Sequence, residues 1–425
     1  MSATPEPGAS PTPPPTEASG EPKPVVQRRR SRSGLYAVIA VLIVIVILVA
    51  VGASTNWYGL QKSSTKPEAA CSSGTELQAN GAQFVNPLMT TWAGVYQAQT
   101  GNMVNYVDGG SGTGLTDFSQ HPPLIDFAAT DDPLTPLELS ALPGQPLTLP
   151  FIGGALTIIY NVPGLTGHLN LTGSILAGIY NGTITTWNNA AIAAANPHVT
   201  LPSNTIAPVV RSDPAGTTYV LTDFLSQASA WWATNVGKGI SVSFPKVPSE
   251  TAVKGNSLVI KTVAGTSYSI GYSDLTDVLT YTTPLQYAAV QNPSGNYIVP
   301  NITNTVSALA DKVASLPSLP ASTNTSGWYN VSMVNAKGAG DYPLATFVYM
   351  FVYQEAKNGL TPSLVKSQII VQWLHYILSP AAQAIASQTT PTPLYYAALP
   401  SAVISTDEAG ISTMTYNGTA IPACK

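Results

Sequence analysis

Charged residues are scarce in this chain. Of 425 residues only 9% are charged, 17 of them Lys or Arg, and the formal net charge is −4. A nucleic-acid-binding protein needs a face rich in Lys and Arg to neutralise phosphates, so this composition argues against nucleic acid as a partner. Ser, Thr, Asn and Tyr supply most of the polar surface instead.

Histidines and recognisable catalytic motifs are also sparse. The chain has four histidines, and they are scattered without metal-ligand spacing: His121, His168, His198 and His375. We therefore predict no metal and no cofactor. There is no G-x-S-x-G motif and no plausible Ser/His/Asp set, and Ser111, the one candidate nucleophile, has no evident base. These absences weigh against a hydrolase.

The chain has only two cysteines, Cys71 and Cys424, which bracket the predicted folded region almost end to end. In an oxidising compartment, a disulfide between them is the natural interpretation. The alternative is a pair of free thiols.

The N-terminus contains the one long hydrophobic run. Residues 1–34 form a Pro-rich segment that ends in an arginine cluster, and we predict a disordered cytoplasmic tail. The apolar run from Leu35 to Ala53 would span roughly 28 Å as a helix, which predicts a transmembrane anchor over 35–54. Arginines before the run place everything after it outside the cytoplasm, with 55–73 as a linker. The alternative is a cleaved signal peptide, because Val51-Gly52-Ala53 would satisfy a peptidase.

Beyond Cys71, short apolar strands alternate with amphipathic helices, which is typical of α/β domains. The pattern predicts a helix that Phe84 opens and a strand over Met103–Val107. It also predicts a strand from Leu124 to Ala129, and a strand from Leu149 to Tyr160 that crosses between two domains.

The most informative segment runs from Val209 to Thr218. An apolar strand ends at Arg211, a Pro-Ala-Gly turn follows, and a helix is predicted to begin at Thr217. Free backbone N–H groups at the helix start and the guanidinium would converge on one point, which suits a tetrahedral oxyanion. Two further loop-to-helix transitions, at Gln83-Phe84 and at Ser111–Gly114, would add N–H donors.

Two aspartates give this predicted anion site its selectivity and order. Asp131 carries a carboxylate that can only accept hydrogen bonds, so it favours an anion that still carries a proton. Hydrogen phosphate does so, whereas sulfate is fully ionised and would be repelled. Asp213 lies two residues after Arg211 and is placed to hold the guanidinium.

These segments resemble the phosphate-binding proteins that serve as extracytoplasmic receptors of phosphate ABC importers. The residues from Arg211 to Thr218 are similar to that family's R-S-D-x-S-G-T-T loop, and Asp126–Leu134 is similar to its D-F-G-A-S-D-x-P-L segment. Asn105–Gly114, Tyr180–Asn188 and Tyr396–Pro400 resemble three further family elements.

The resemblance implies a two-lobed, hinged solute-binding fold of the type II periplasmic-binding class, preceded here by one transmembrane helix. It places the first part of lobe I at 74–153, lobe II at 154–341 and the second part of lobe I at 342–425. Inorganic phosphate and the permease subunits of an ABC importer become the expected partners. The implied phosphate-binding residues are Gln83, Phe84, Ser111, Asp131, Arg211, Ala215, Gly216 and Thr217.

The chain departs from the family pattern at the loops themselves. Gln83 stands where many relatives have Thr, and Ala215 stands where they have Ser. Alternative functions are a receptor for another oxyanion, a phosphate sensor whose cytoplasmic tail reports occupancy, and a phosphatase-like hydrolase.

Overall fold

The computed structural model of the chain describes residues 73–388 and 390–424. The predicted tail, the predicted anchor and Cys71 lie outside these residues. Within them, no helix combines the length and the apolar character needed to cross a membrane.

Fourteen strands are found in the described residues. They are β1 Glu76–Gly81, β2 Met103–Val107, β3 Phe127–Thr130, β4 Pro146–Asn161, β5 Asn170–Leu171, β6 Ala207–Arg211, β7 Thr251–Val253, β8 Ser269–Asp274, β9 Gln286–Tyr287, β10 Ala289–Gln291, β11 Tyr297–Ile298, β12 Ala345–Tyr353, β13 Thr415–Tyr416 and β14 Thr419–Ala420.

Fourteen α-helices connect them in the same part of the chain, with 3₁₀ turns at Gln83–Val85 and Ala356–Asn358. The helices are α1 Asn86–Thr100, α2 Ser111–Phe118, α3 Pro136–Ala141, α4 Gly173–Tyr180, α5 Ala190–Ala195, α6 Gly216–Ala228, α7 Ala230–Asn235, α8 Asn256–Gly265, α9 Leu275–Thr280, α10 Ile302–Ser315, α11 Thr325–Tyr329, α12 Leu364–Leu378, α13 Pro380–Ile385 and α14 Ser401–Ile411.

One mixed sheet runs through both lobes in the order β2-β1-β3-β12-β4-β8-β6-β7, with β9 pairing β4 off this path. In lobe I, β1, β2 and β3 are mutually parallel. In lobe II, β6 is parallel to β7 and to β8. Parallel strands joined by helices bury both faces of a sheet, and the strands inside each lobe's sheet, β3 and β8, are accordingly buried along their whole length.

The long strand β4 belongs to both lobes. Residues Pro146 to Ala155 pair with β12 of lobe I, and Leu156 to Asn161 pair with β8 of lobe II. The chain returns beside this strand, where the Leu156 N–H donates to the carbonyl of Leu344 over 2.9 Å. The crossing strand predicted from Leu149 to Tyr160 is confirmed. The two lobes are thus connected by β4 and by the returning segment at Leu344, which are hydrogen-bonded to each other.

Each lobe has its own hydrophobic core. The lobe I core includes Trp92, Phe127 and Trp373, and it also takes in Leu309 and Trp328 from the helices that precede the return crossing. The lobe II core is built on both faces of its sheet. One face is packed by large aromatic residues including Trp187, Trp232 and Tyr272, and the other by a small aliphatic group including Val259 and Val263.

Two predicted element boundaries were wrong. Phe84 does not open α1, because Gln83–Val85 forms a 3₁₀ turn and the helix begins at Asn86. The strand predicted from Leu124 begins only at Phe127, where pairing with β1 starts. One residue earlier, the Gln78 N–H of β1 donates to the Asp126 carboxylate at 2.8 Å, and that carboxylate also pairs with Lys366 Nζ at 2.9 Å. The strand predicted over Met103–Val107 is confirmed.

Candidate functional site

The site lies where the carboxyl ends of the parallel strands of both lobes face each other. Gln83 follows β1, Ser111 follows β2 and Asp131 follows β3 in lobe I. In lobe II, Arg211 ends β6 and Asn256 follows β7. Crevices outside the carboxyl ends of strands are the usual ligand sites of open α/β sheets, because loops from several strands converge there.

All eight residues predicted to bind the anion line one small cavity. Gly110 and Asn256 complete the lining, and neither was predicted from the sequence. Residues that lie as much as 134 positions apart in the chain, from Gln83 to Thr217, therefore meet in one place.

The three helices that begin at the cavity have no side-chain cap. The N-cap positions of α2, α6 and α8 are Gly110, Ala215 and Gly255, and none accepts a hydrogen bond from the helix through a side chain. By contrast α3, α4 and α5 are each capped by a Thr or Asn side chain. Ser111 Oγ and Gln83 Oε1 accept from the first N–H groups of α6 and α8. The remaining N–H donors of the first turns and the positive ends of the helix dipoles favour an anion at this end of the cavity.

Arg211 supplies the one guanidinium in the cavity lining, and it is held rigidly. Nε and Nη2 donate to the two carboxylate oxygens of Asp213 at 2.8 and 2.5 Å. Nη1 donates to Thr217 Oγ1 at 3.2 Å and to Asn256 Oδ1 at 2.5 Å. The backbone is fixed as well, since the Arg211 N–H donates to the Tyr272 hydroxyl at 3.1 Å. A planar, fully charged donor that is immobilised in this way can recognise an oxyanion without reorganisation.

The carboxylate of Asp213 balances this charge. Burial of the group opposes ionisation, but the hydrogen bonds and positive charge of Arg211 outweigh it and hold the pKa of Asp213 below its usual range. The Gly255 N–H donates a further hydrogen bond to Oδ1 at 3.2 Å. Asp213 is therefore ionised, and it fixes the guanidinium in the position that the sequence predicted.

Asp131 is the unusual member of the lining. Its side chain is only 2% exposed, and its Oδ1 accepts no hydrogen bond from the described residues. Burial raises the pKa of Asp131 to about 7, against the opposing effect of the Arg211 charge. The group is therefore poised between its neutral and ionised forms near neutral pH, with one oxygen left to interact with whatever fills the cavity.

Gly216 packs directly against this carboxyl. A β-carbon at Gly216 would lie 2.4 Å from Asp131 Oδ2 and 2.6 Å from its Cγ. The Gly216 N–H donates to Ser111 Oγ at 3.2 Å, so the lobe II helix start also contacts lobe I. Only glycine allows this approach, which brings the helix N-terminus against the carboxyl.

The remaining predicted residues are positioned by core contacts. The Phe84 ring is buried in lobe I, and its carbonyl accepts a hydrogen bond from the Tyr396 hydroxyl at 2.7 Å. Ala215 is buried and its N–H donates to the carbonyl of Ile240 at 2.8 Å, so this residue has no hydroxyl to offer and its amide is engaged. In the described residues, no group of three or more His, Cys, Asp or Glu side chains is placed to hold a metal ion.

Asn256 was missed because its role is created by tertiary structure. Its side chain joins Arg211 to Asp274, since Nδ2 donates to Asp274 Oδ2 at 3.0 Å. The available signal was Gly255-Asn256 at a loop-to-helix transition, the same feature that marked the other three loops. Gly110 adjoins the predicted Ser111 and has a φ of 97°, which glycine adopts readily.

Comparisons with known proteins agree with this geometry. A family model described as "PBP superfamily domain" matches residues 65–381. The phosphate-binding protein PstS of Xylella fastidiosa (strain Temecula1) is 33% identical over 303 residues, which is 70% of this chain and 77% of the relative. The phosphate-binding protein PstS of Methanocaldococcus jannaschii is 32% identical over 314 residues, which is 71% of this chain and 78% of the relative.

A solved structure of a phosphate-binding protein from Stenotrophomonas maltophilia superposes with a TM-score of 0.62. It covers 82% of this chain and 100% of that chain at 21% identity, which supports the two-lobed fold. The chain therefore belongs to the PBP superfamily and, within it, to the family of PstS phosphate-binding proteins.

Proposed function

We propose that this protein is an extracytoplasmic receptor that captures inorganic phosphate and delivers it to an ABC importer. The observation that carries the proposal is the lining of the cavity. One immobilised guanidinium, three helix starts without a capping N-cap side chain and one poised carboxyl line the same small cavity. The PstS relatives carry the name of phosphate-binding proteins, and membership of this family makes the chain a solute-binding protein rather than an enzyme.

Each lining residue has a distinct part in this proposal. Arg211 brings its charge and donates its remaining N–H, on Nη2, to a phosphate oxygen, and Ser111 and Thr217 donate from their hydroxyls and amides. Phe84, Ala215 and Gly216 line the cavity along their backbones. Asp131 in its ionised form accepts a hydrogen bond from the P–OH group, which sulfate lacks.

The proposal also includes how the receptor is retained outside the cytoplasm. The apolar run 35–54 anchors it as a single-pass helix, with the N-terminus cytoplasmic and the lobes extracytoplasmic. A disulfide joins Cys71 to Cys424. This pairing is supported by the position of Cys424 against the lobe I core and by the lack of any free cysteine among the described residues.

The test is calorimetric titration of the full chain in detergent, after unfolding and refolding have removed bound ligand. Phosphate should bind tightly, and sulfate should release little or no heat at pH 8. Equal binding of both anions would make the protein a general oxyanion receptor. Turnover of a phosphoester would instead support the hydrolase alternative, and no binding by a folded sample would reject the proposal.

A further inference from the structure

Gln83 makes a hydrogen bond that crosses the cleft. Its side-chain oxygen Oε1 accepts from the backbone N–H of Asn256 at 2.8 Å. A backbone amide can only donate, so the facing atom of the Gln83 side chain must be its oxygen. The nitrogen Nε2 then remains on the other side of the amide with two hydrogens to donate.

The two ends of this bond belong to different lobes. Gln83 sits in the 3₁₀ turn whose Phe84 and Val85 are buried in the lobe I core. Asn256 begins α8, whose Val259 and Val263 pack on the lobe II sheet. The bond therefore exists only when the two lobes are close together.

The acceptor end is also tied to the anion-binding machinery. Asn256 donates its backbone N–H to Gln83, and its side-chain Oδ1 accepts a hydrogen bond from the Arg211 guanidinium at 2.5 Å. Two other contacts cross the cleft here, Gly216 N–H to Ser111 Oγ at 3.2 Å and Gly112 N–H to the Pro214 carbonyl at 3.4 Å. The Gln83 bond is the shortest of these three, and it is the one made by a side chain where many family members have Thr.

We propose that Gln83 is a positioning residue that latches lobe I to the start of α8 and so biases the receptor toward its closed form. This inference rests on the proposed function and extends it to how the site opens. A contact made in the closed form and lost in the open form shifts that equilibrium with or without ligand. The latch therefore raises the closed fraction of the free receptor and slows the release of phosphate.

The test is a cycle of substitutions at the two ends of the bond. Gln83→Met keeps the length of the side chain and removes the acceptor. Asn256→Ala keeps the backbone N–H, whereas Asn256→Pro removes it at the first helical position, where proline is tolerated. Gly255 precedes this position with a ψ of 152°, which is compatible with a following proline. The Ala and Pro variants at position 256 both lose the side-chain contact with Arg211. They differ in the backbone N–H of that residue, so they form a matched pair.

Two readouts are measured in the full chain. Stopped-flow kinetics give the phosphate dissociation rate, and energy transfer between dyes at Leu137→Cys and Thr200→Cys, both exposed positions, gives the lobe separation without ligand. With Asn256→Ala, adding Gln83→Met should speed dissociation by about 2- to 10-fold, the range expected for loss of one hydrogen bond, and should lower the closed fraction. With Asn256→Pro, adding Gln83→Met should leave the closed fraction unchanged and should speed dissociation less than it does with Asn256→Ala, since only the Nε2 donors are then lost. Equal effects of Gln83→Met in both backgrounds, or no effect in either, would overturn the latch.

A second variant keeps the proposal testable if Asn256→Pro does not fold. Gln83→Glu retains an acceptor for the Asn256 N–H but loses the Nε2 donors, so the ligand-free closed fraction should stay at or above that of the wild type while phosphate binding weakens. A closed fraction as low as that of Gln83→Met would refute the latch. If the wild-type chain binds no phosphate, the proposed function fails, and the ligand-free energy-transfer arm still decides whether the latch exists.

Discussion

Replacing Asp131 by Asn tests the basis of anion selectivity directly. Asn has nearly the same shape, carries no charge and offers both an acceptor and a donor. In the wild type, sulfate can be accommodated only when Asp131 holds a proton, because two facing anions with no proton between them repel. The substitution removes that requirement, so the affinity for sulfate should rise.

The magnitude follows from the pKa of Asp131, which burial raises to about 7. At pH 8 about one carboxyl in ten is protonated, so the wild type should bind sulfate about tenfold more weakly than Asp131→Asn, a difference of about 1.4 kcal/mol. At pH 6 about nine carboxyls in ten are protonated, and the two proteins should bind sulfate almost equally. Phosphate affinity should change less with the substitution, since the amide oxygen still accepts from a P–OH group.

The assay is competition calorimetry with sulfate and phosphate at pH 6 and pH 8. Asp132→Asn is the matched control, because Asp132 is also a buried carboxyl in the next position but does not line the cavity. It should leave the ratio of the two affinities unchanged. An unchanged sulfate affinity for Asp131→Asn at pH 8, with the fold intact, would refute the reasoning.

The same substitution has a stability signature. A carboxyl whose folded pKa lies above its unfolded value contributes stability below the unfolded pKa and loses that contribution as pH rises through the folded pKa. For Asp131 this window runs from 3.8 to about 7. Ligand-free Asp131→Asn should therefore resist urea more than the wild type at pH 8, by at most about 4 kcal/mol. The difference should shrink as the pH falls through 7 toward 4.

Three further predictions concern packing, guanidinium placement and the proposed disulfide. Gly216→Ala should abolish tight phosphate binding in calorimetry and lower the free energy of unfolding by about 1–3 kcal/mol. Gly94→Ala is its control, since a β-carbon there meets nothing within 4 Å, and it should leave binding intact. Asp213→Ala should weaken phosphate binding at least tenfold by freeing the guanidinium, a conclusion that wild-type affinity in the variant would contradict. Cys71→Ser should lower the free energy of unfolding in urea by about 2–5 kcal/mol, with little further loss on adding Cys424→Ser. Full additivity of the two Cys substitutions would argue against a bond between them.

Eight of the ten residues that line the cavity could be named from the sequence because each sits at the end of a strand or at the start of a helix. Arg211 and Gly216 are read from a short local segment, where an apolar strand gives way to a turn and then a helix. The conformation of such a strand–turn–helix segment follows from its own residues and not from distant contacts. The prediction that these segments converge on one cavity also depended on the family resemblance, which supplied the order of the loops.

Contacts that depend on distant partners could not be predicted in the same way. Asn256 lines the cavity only because β7 pairs with β6, and the residues near Asn256 carry no pattern that predicts this pairing. The ion pair between Asp126 and Lys366 joins residues 240 positions apart in the chain, and no local pattern predicts it. The 3₁₀ turn at Gln83 places the buried side chains of Phe84 and Val85 ahead of α1, which begins at Asn86.

The place of β12 in the sheet has a consequence for the order in which the protein can be made. This strand lies between β3 and β4 in the middle of the lobe I sheet, yet it is synthesised after every strand of the lobe II sheet. Lobe II can therefore acquire its sheet while the nascent chain still lacks Ala345 and all that follows. Until then β3 and β4 are open edges with unpaired backbone groups, which are prone to aggregate. Truncation before Ala345 should therefore leave the lobe II sheet intact and prevent the lobe I sheet from forming.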